Sequence, residues 1–207
     1  KAQLPSNSWI YTFGVKYPRL INHNYIRPDI INAGGYLGVQ RNFSEHIGLR
    51  FMLNYNYLHG EYPGSKGGTH AGDISLDFVY YIVPCESVTP YLLLGGGPIA
   101  YALENPPNTT LKTFHFTSQL NTGLGFEWDI GENWDLKTEF MYTTVFDFNF
   151  DGSNQKTQGG IFFGDDKSYF SFNLGFNYYI DKGEPSKLCQ LYDGINIDIA
   201  PVDYDRI

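Results

Sequence analysis

Alternation of aromatic and polar side chains is the feature that most constrains the fold of this chain. From position 134 to 148 the even positions hold Trp, Leu, Thr, Phe, Tyr, Thr, Phe and Phe, whereas the odd positions are mostly polar and include Asp135, Lys137 and Glu139. A period of two residues is produced by a β-strand, whose successive side chains point to opposite faces. The same pattern returns over 114–130 and 170–180, so these segments are also predicted strands.

Eight segments carry this period or a weaker form of it, namely 9–17, 31–40, 47–57, 73–82, 91–103, 114–130, 134–148 and 170–180. The links after strands 2, 4 and 6 are short (41–46, 83–89 and 131–133), whereas those after strands 1, 3, 5 and 7 are longer and polar (18–30, 59–70, 104–112 and 149–167). An up-and-down meander places alternate links at opposite ends. Short periplasmic turns, longer outer loops and an even strand count are typical of outer-membrane barrels. The sequence therefore predicts an all-β fold, an eight-stranded antiparallel up-and-down transmembrane β-barrel with a C-terminal periplasmic tail.

Composition decides which face of the strands meets lipid. The chain has 16 Phe, 17 Tyr and 3 Trp, and the interior of an eight-stranded barrel is only just wide enough to be filled by side chains. A soluble lipocalin-like barrel would have to pack this aromatic volume inside, so the membrane arrangement is favoured. The residues expected to face lipid include Leu49, Phe51, Phe140, Phe146, Phe172 and Phe176.

The opposite face carries charges of both signs, which we expect inside the barrel. The predicted charge network comprises Arg50, Asp77, Glu127, Lys137 and Glu139. Tyr36, Met52, Asn54 and Asn173 are expected to fill the remaining space. Internal ion pairs that neutralise a water-poor lumen are favoured over a proton path or gate, and no open pore is expected.

Charge and length exclude several other classes. The net charge of −8 argues against a nucleic-acid partner, which requires basic patches. The most apolar stretch, 91–103, is shorter than the roughly 20 residues of a transmembrane helix. The chain begins at Lys1 without Met or an apolar leader, as expected of a processed mature form. We divide it into a lead-in (1–8), the barrel (9–180) and a periplasmic tail (181–207).

The two cysteines are predicted to form a disulfide. Cys85 lies in a short link, and Cys189 follows the last strand, which finishes at the same end of the meander. Both thiols would face the periplasm, where thiols are normally oxidised. Two free thiols are the alternative.

No catalytic, cofactor or metal site is predicted. Ser168, His115 and Asp147 could approach one another in a barrel, but nothing around Ser168 marks a nucleophile. His59 and His70 share the predicted outer loop 59–70 without metal-ligand spacing. The acids of the fourth outer loop, among them Asp147 and Asp151, do not match a calcium-binding loop.

The chain resembles the OmpA-like family of eight-stranded outer-membrane barrels. The resemblance is strongest in the glycine-rich stretch 91–98 and in the last strand, where Asn173, Gly175, Tyr178 and Ile180 are similar to the assembly signal of bacterial barrels. It implies recognition by the barrel-assembly machinery and residence in the bacterial outer membrane. The tail is similar to the linker that precedes a periplasmic domain in such proteins.

The function predicted from the sequence is that of a structural or interaction barrel without an open pore. Its expected partners are membrane lipids, lipopolysaccharide at the outer rim and the assembly machinery during biogenesis, with no nucleic acid. An accessory subunit of a larger outer-membrane complex is the alternative, because an aromatic wall can pack on a protein neighbour as readily as on lipid. A lipid-modifying barrel enzyme is a third hypothesis.

Overall fold

Eight strands account for most of the structure, a computed structural model that describes residues 6–21, 32–62, 65–84, 86–105, 114–152 and 167–183. The strands are β1 (Trp9–Leu20), β2 (Ala33–Asn42), β3 (Ile47–Tyr62), β4 (Ser65–Tyr81), β5 (Val88–Glu104), β6 (Phe114–Gly131), β7 (Trp134–Val145) and β8 (Lys167–Asp181). Within the described ranges, no helix has both the length and the apolar character needed to cross a bilayer.

The strands pair in sequence order and close into a barrel. Every pairing is antiparallel, and the seam between β1 and β8 runs from Trp9 opposite Asp181 to Leu20 opposite Tyr169. Closure leaves no unpaired strand edge through the body of the barrel, which is the condition that lipid imposes on a spanning sheet. The predicted eight-stranded up-and-down barrel is therefore confirmed.

Two ends of the barrel are distinguished by their links. We call the end where β1 begins and β8 ends the terminal end, and the opposite end the loop end. At the terminal end the links 43–46, 82–87 and 132–133 are short, as predicted.

One predicted outer loop is wrong. The segment 59–70 is mostly strand, because β3 and β4 continue as a paired hairpin from Tyr57 opposite His70 to Tyr62 opposite Ser65. His59 and His70 therefore lie on strands. Backbone pairing beyond the lipid belt requires no apolar alternation, so the sequence carried no periodic signal for this extension.

The end of β7 also differs from the prediction. The alternation continues to position 148, but β7 ends at Val145 and the chain turns over residues 148–151. Hydrogen bonds from Phe150 N to Asp147 O and from Gly152 N to Asn149 O form this turn. The alternation of apolar and polar residues therefore continues past the end of β7 into the loop that follows it.

The outer surface is an apolar belt. Phe140 is 58% exposed, Phe51 47% and Phe172 40%, and the other residues predicted to face lipid (Leu49, Phe146 and Phe176) are also exposed. The aromatic face therefore points outward, as predicted. At the loop end of β7 and β8, Tyr142 donates to Ser168 Oγ, and both side chains are buried.

Candidate functional site: the ion-paired lumen

The centre of the lumen is occupied by Arg50, which pairs with two carboxylates. Its Nη1 lies 2.5 Å from Glu139 Oε1 and its Nη2 lies 3.4 Å from Asp77 Oδ2. All three side chains are at most 2% exposed. Arg50 is directly opposite Asp77 across β3 and β4, so strand register delivers one partner, and barrel closure brings in the other from β7.

Lys137 joins the same network. Its Nζ lies 3.6 Å from Glu139 Oε1 and donates to Thr12 Oγ1 at 2.7 Å. It also lies 4.6 Å from the centre of the Tyr36 ring, a distance at which a cation is attracted to an aromatic face. We call Arg50, Asp77, Lys137 and Glu139 the ion-pair layer.

The fifth predicted member, Glu127, lies in a second network nearer the terminal end. Its Oε1 accepts from Tyr81 Oη at 3.0 Å and from Asn177 Nδ2 at 2.8 Å. Gln40 Nε2 donates to the same Tyr81 hydroxyl at 2.6 Å. Four of the five predicted residues thus meet directly, and Glu127 is held by neutral donors instead.

A further polar group lies on the loop-end side of the ion-pair layer. Lys16 Nζ donates to Asn54 Oδ1 at 3.2 Å, and Asn54 Nδ2 donates to Asp73 Oδ1 at 2.8 Å. Lys16 and Asp73 are both buried and point inward. Their connection through an amide could not be found from sequence, because it depends on register across three strands.

Two clusters of buried apolar side chains enclose these polar groups. The terminal-end cluster consists of Ile10, Val79, Tyr81, Tyr91, Leu93, Met141 and Tyr179. The loop-end cluster consists of Leu58, Ala71, Ile99, Tyr101, Leu103, Val145, Phe150 and Tyr169. Within the described lumen, a buried apolar cluster thus lies toward each end beside polar groups such as Glu127 and the Asp151–Lys167 pair, and the ion-pair layer lies between the two clusters.

Phe150 belongs to the loop-end cluster although it follows β7. Its ring is fully buried and lies 5.1 Å from the ring of Tyr101 and 5.9 Å from that of Tyr169. Thr69 Oγ1 donates to the Phe150 carbonyl at 2.9 Å. Sequence reasoning missed this residue, because it lies in what reads as a polar loop.

Two acids fix the segment that carries Phe150. Asp147 Oδ2 accepts from Tyr101 Oη at 2.6 Å and lies 3.5 Å from His115 Nδ1, while the Tyr101 and His115 rings stack. Asp151 pairs with Lys167 Nζ at 2.8 Å. We call residues 146–152 the plug segment, because its contacts hold Phe150 inside the loop-end mouth.

The candidate catalytic residues are only partly brought together. His115 and Asp147 approach each other, but the hydroxyl of Ser168 bonds with Tyr142 and lies 3.3 Å from Thr144 Oγ1. Within the described part of the chain, no group of three or more His, Cys, Asp or Glu side chains is arranged to hold a metal ion.

The residues of the proposed assembly signal occupy both faces of β8. Asn173 Nδ2 donates to Glu139 Oε2 at 3.1 Å, and Gly175 faces inward beside Tyr36. The Tyr178 ring lies 4.8 Å from that of Trp134 on the outer surface, and Ile180 is exposed. Cys85 and Cys189 lie outside the described residues, so the disulfide stays a prediction.

An apolar outer wall around a lumen that is lined by buried, hydrogen-bonded side chains defines the class of small transmembrane β-barrels. Solved structures of similar shape are outer-membrane proteins. OprG from Pseudomonas aeruginosa has a TM-score of 0.57 at 12% identity, covering 86% of this chain and 98% of OprG. Ail of Yersinia pestis, solved with the heparin analogue sucrose octasulfate, has a TM-score of 0.53 at 17% identity, covering 84% and 99%.

Neisserial surface protein A is a third structure of this kind, with a TM-score of 0.53 at 11% identity over 82% of this chain and 96% of that protein. At these identities the likeness concerns the fold. No protein-family model matches the sequence, and no curated protein matches it. The comparisons support an eight-stranded barrel and do not single out the OmpA-like family.

Proposed function

We propose that this chain is a structural or interaction protein of the bacterial outer membrane that has no open pore. The short turns of the terminal end face the periplasm in this proposal, and the loop end faces outward. The observation that supports it is the succession of layers along the lumen, in which a cluster of buried apolar side chains lies toward each end and the ion-pair layer lies at the centre.

Each layer opposes ion passage for a physical reason. An ion that enters an apolar constriction must give up water without finding a polar partner, and such constrictions close by dewetting. In the central layer, Arg50 and Lys137 are already engaged with carboxylates, so a passing ion would have to break buried pairs. The fixed charges therefore contribute to closure.

Planar-bilayer recording of the purified full chain tests the absence of a pore. We expect no stable current steps from the wild type. The triple variant Arg50→Ser/Tyr91→Ser/Phe150→Ser removes a large side chain from each layer and is expected to give small steps, with strand content checked by circular dichroism. Stable, large steps from the wild type would contradict the proposal.

The expected partners follow from the surface. The apolar belt suits membrane lipids, and lipopolysaccharide would meet the loop-end rim. The barrel-assembly machinery would read the last strand during biogenesis. Ail was solved with a polysulfated ligand, but the net charge of −8 does not favour a polyanion on the present chain.

A role as an accessory subunit is favoured by one asymmetry of the outer surface. Phe13, Trp134, Phe140, Phe172 and Phe176 form what we call the aromatic wall, across β7, β8 and β1. Within it the ring centres of Phe140 and Phe172 lie 5.0 Å apart, and those of Phe13 and Phe176 lie 6.1 Å apart. Aromatic side chains are enriched in the cores of protein interfaces.

Purification in mild detergent followed by native mass spectrometry tests the subunit role. A stoichiometric protein partner that is lost on Phe140→Leu/Phe172→Leu would support it. The matched control is Leu76→Ala/Leu94→Ala on the opposite wall, where the exposed residues are mainly aliphatic. Recovery of the chain with lipid alone would contradict a stable subunit role.

A further inference from the structure

The outer surface of the seam contains a recess that adjoins the aromatic wall and shares Phe13 and Phe176 with it. It has a volume of about 590 Å³, within the roughly 300–1,000 Å³ of small-ligand sites. Its walls are side chains of β1, β2 and β8, namely Tyr11, Phe13, Val15, Leu37, Leu174 and Phe176. Gly14 and Gly175 form its floor, and Tyr36 lies behind them.

The barrel wall is thin behind the recess because two of its residues there are glycines, which have no side chain. Gly14 lies opposite Gly175 across the seam, and a Cβ on Gly14 would come within 2.6 Å of both Gly175 Cα and Tyr36 Oη. The Tyr36 side chain fills that space from the lumen, and its buried hydroxyl has no hydrogen-bond partner among the described residues. The recess is therefore backed by the Tyr36 side chain.

A third glycine leaves outward space beside the recess. Gly35 lies opposite Val15 in β1 and precedes Leu37 by two residues, so all three share the outer face. A Cβ on Gly35 would contact only Gly14 O, at an ordinary 3.5 Å. A larger residue at this position can therefore enter the recess without disturbing the sheet.

The surroundings of the recess determine the chemistry of its occupant. Its lining side chains carry no charge, and the walls are aromatic and aliphatic. A polar ligand would lose hydrogen bonds to water there. The recess lies at mid-strand and is continuous with the apolar belt, so the medium in contact with it consists of lipid chains.

We propose that the recess binds one acyl chain of a membrane lipid and retains it at the seam. A hydrocarbon chain is slender and flexible enough to lie between the side chains of adjacent strands, and it requires no polar partner. The convex wall of a second barrel fits a concave recess less well. The proposal rests on the membrane location proposed above, whereas it is independent of whether the lumen conducts.

Photolabelling of the full chain in vesicles tests the recess. The probe is a phosphatidylcholine that carries a diazirine midway along one acyl chain, and labelled residues are identified by mass spectrometry. We expect labelling of 11–15 and 174–176 to exceed severalfold that of Leu76 and Leu94, which lie on the opposite wall and are 53% and 57% exposed.

Two variants separate bound lipid from bulk lipid. Gly35→Leu is expected to lower labelling of the recess to the level of the opposite wall. Gly72→Leu is the matched control, because Gly72 also faces outward and a Cβ there would have only Asn54 O, at 4.0 Å, within reach. It is expected to leave labelling of the recess unchanged.

The alternative outcomes are distinct. Equal labelling around the barrel, or no effect of Gly35→Leu, would overturn the acyl-chain site and leave the proposed function intact. Cross-links between two copies at the seam would overturn it in favour of a dimer interface. An outer face without any label would overturn the membrane location and the site together.

Discussion

At the scale of the residue, the ion-pair layer depends most on Arg50. This side chain neutralises two carboxylates that are at most 2% exposed. Removing one member of such a pair leaves uncompensated charge, which costs more than the pair itself contributes. Arg41 offers a contrast, because its guanidinium lies over the rings of Trp9 and Phe43 on the outer surface at the terminal end. Comparing variants of the two arginines therefore separates the cost of losing a buried charge from the cost of losing an exposed one.

We expect Arg50→Met to lower the free energy of unfolding by about 3–5 kcal/mol, because Asp77 and Glu139 lose their shared partner. Arg41→Met is the control and is expected to cost about 1 kcal/mol or less. Adding Glu139→Gln to Arg50→Met should restore part of the loss. Denaturant unfolding in detergent micelles measures these differences, and equal costs for the two arginine variants would contradict the assignment.

A second residue-scale prediction concerns depth in the bilayer. Phe140→Arg places a charge near mid-belt and is expected to cost about 2–4 kcal/mol, whereas Phe114→Arg at the loop-end rim should cost about 0–1 kcal/mol. Both side chains are exposed, at 58% and 64%, so a difference in burial does not account for a difference in cost. Reversible unfolding in lipid vesicles measures both, and a larger cost for Phe114→Arg would contradict the proposed placement in the membrane.

At the scale of the element, the sequence predicted strands well wherever one face meets lipid and the other the lumen. The two-residue period of β8 and of most of β6 could be recognised in the sequence, because alternate residues face the lipid and the lumen. The extension of β3 and β4 beyond the belt and the inward course of the plug segment were not readable. The first depends on backbone pairing alone, and the second on contacts with strands distant in sequence, such as Thr69 with the Phe150 carbonyl.

The candidate site was likewise predictable from the sequence only in part. Alternation predicted that Arg50, Asp77 and Glu139 point inward, but it could not say which charges pair. The pairing depends on strand stagger, which brings Glu139 of β7 to Arg50 of β3 across the lumen.

The plug segment provides the element-scale prediction. Lys167→Met removes the pairing of Lys167 with Asp151, so we expect faster hydrogen exchange at the amides of Asn149, Phe150 and Gly152. Exchange in the β6–β7 ladder should be unchanged, because local opening leaves the barrel closed. Lys182→Met, at an exposed position after β8, is the control. Uniform acceleration along β7 would show that Lys167 supports the whole barrel rather than the plug segment.

At the scale of the whole molecule, closure joins the first strand to the last. The seam pairs β1 with β8 over most of the length of each strand. The barrel therefore closes only when both the first and the last strand are in place. The terminal end therefore contains the start of β1, the end of β8 and the three short links. Pro84 and Glu86, which flank Cys85, belong to one of these links.

The last prediction is the disulfide between Cys85 and Cys189. The described chain runs to Gly183 at the terminal end, where its amide donates to Asp181 Oδ1 at 2.9 Å. Six further residues, which span at most about 20 Å, lead from Gly183 to Cys189, and the link that contains Cys85 belongs to the same end of the barrel.

The bond would close a long loop and is expected to add about 2–4 kcal/mol to stability. Non-reducing mass spectrometry of freshly denatured protein should find no alkylatable thiol, and reduction should lower the unfolding midpoint of the wild type. Reduction should not affect Cys85→Ser/Cys189→Ser, the control that isolates the bond from other effects of the reductant. Two alkylatable cysteines in unreduced wild type would show that no covalent bond joins the tail to the barrel.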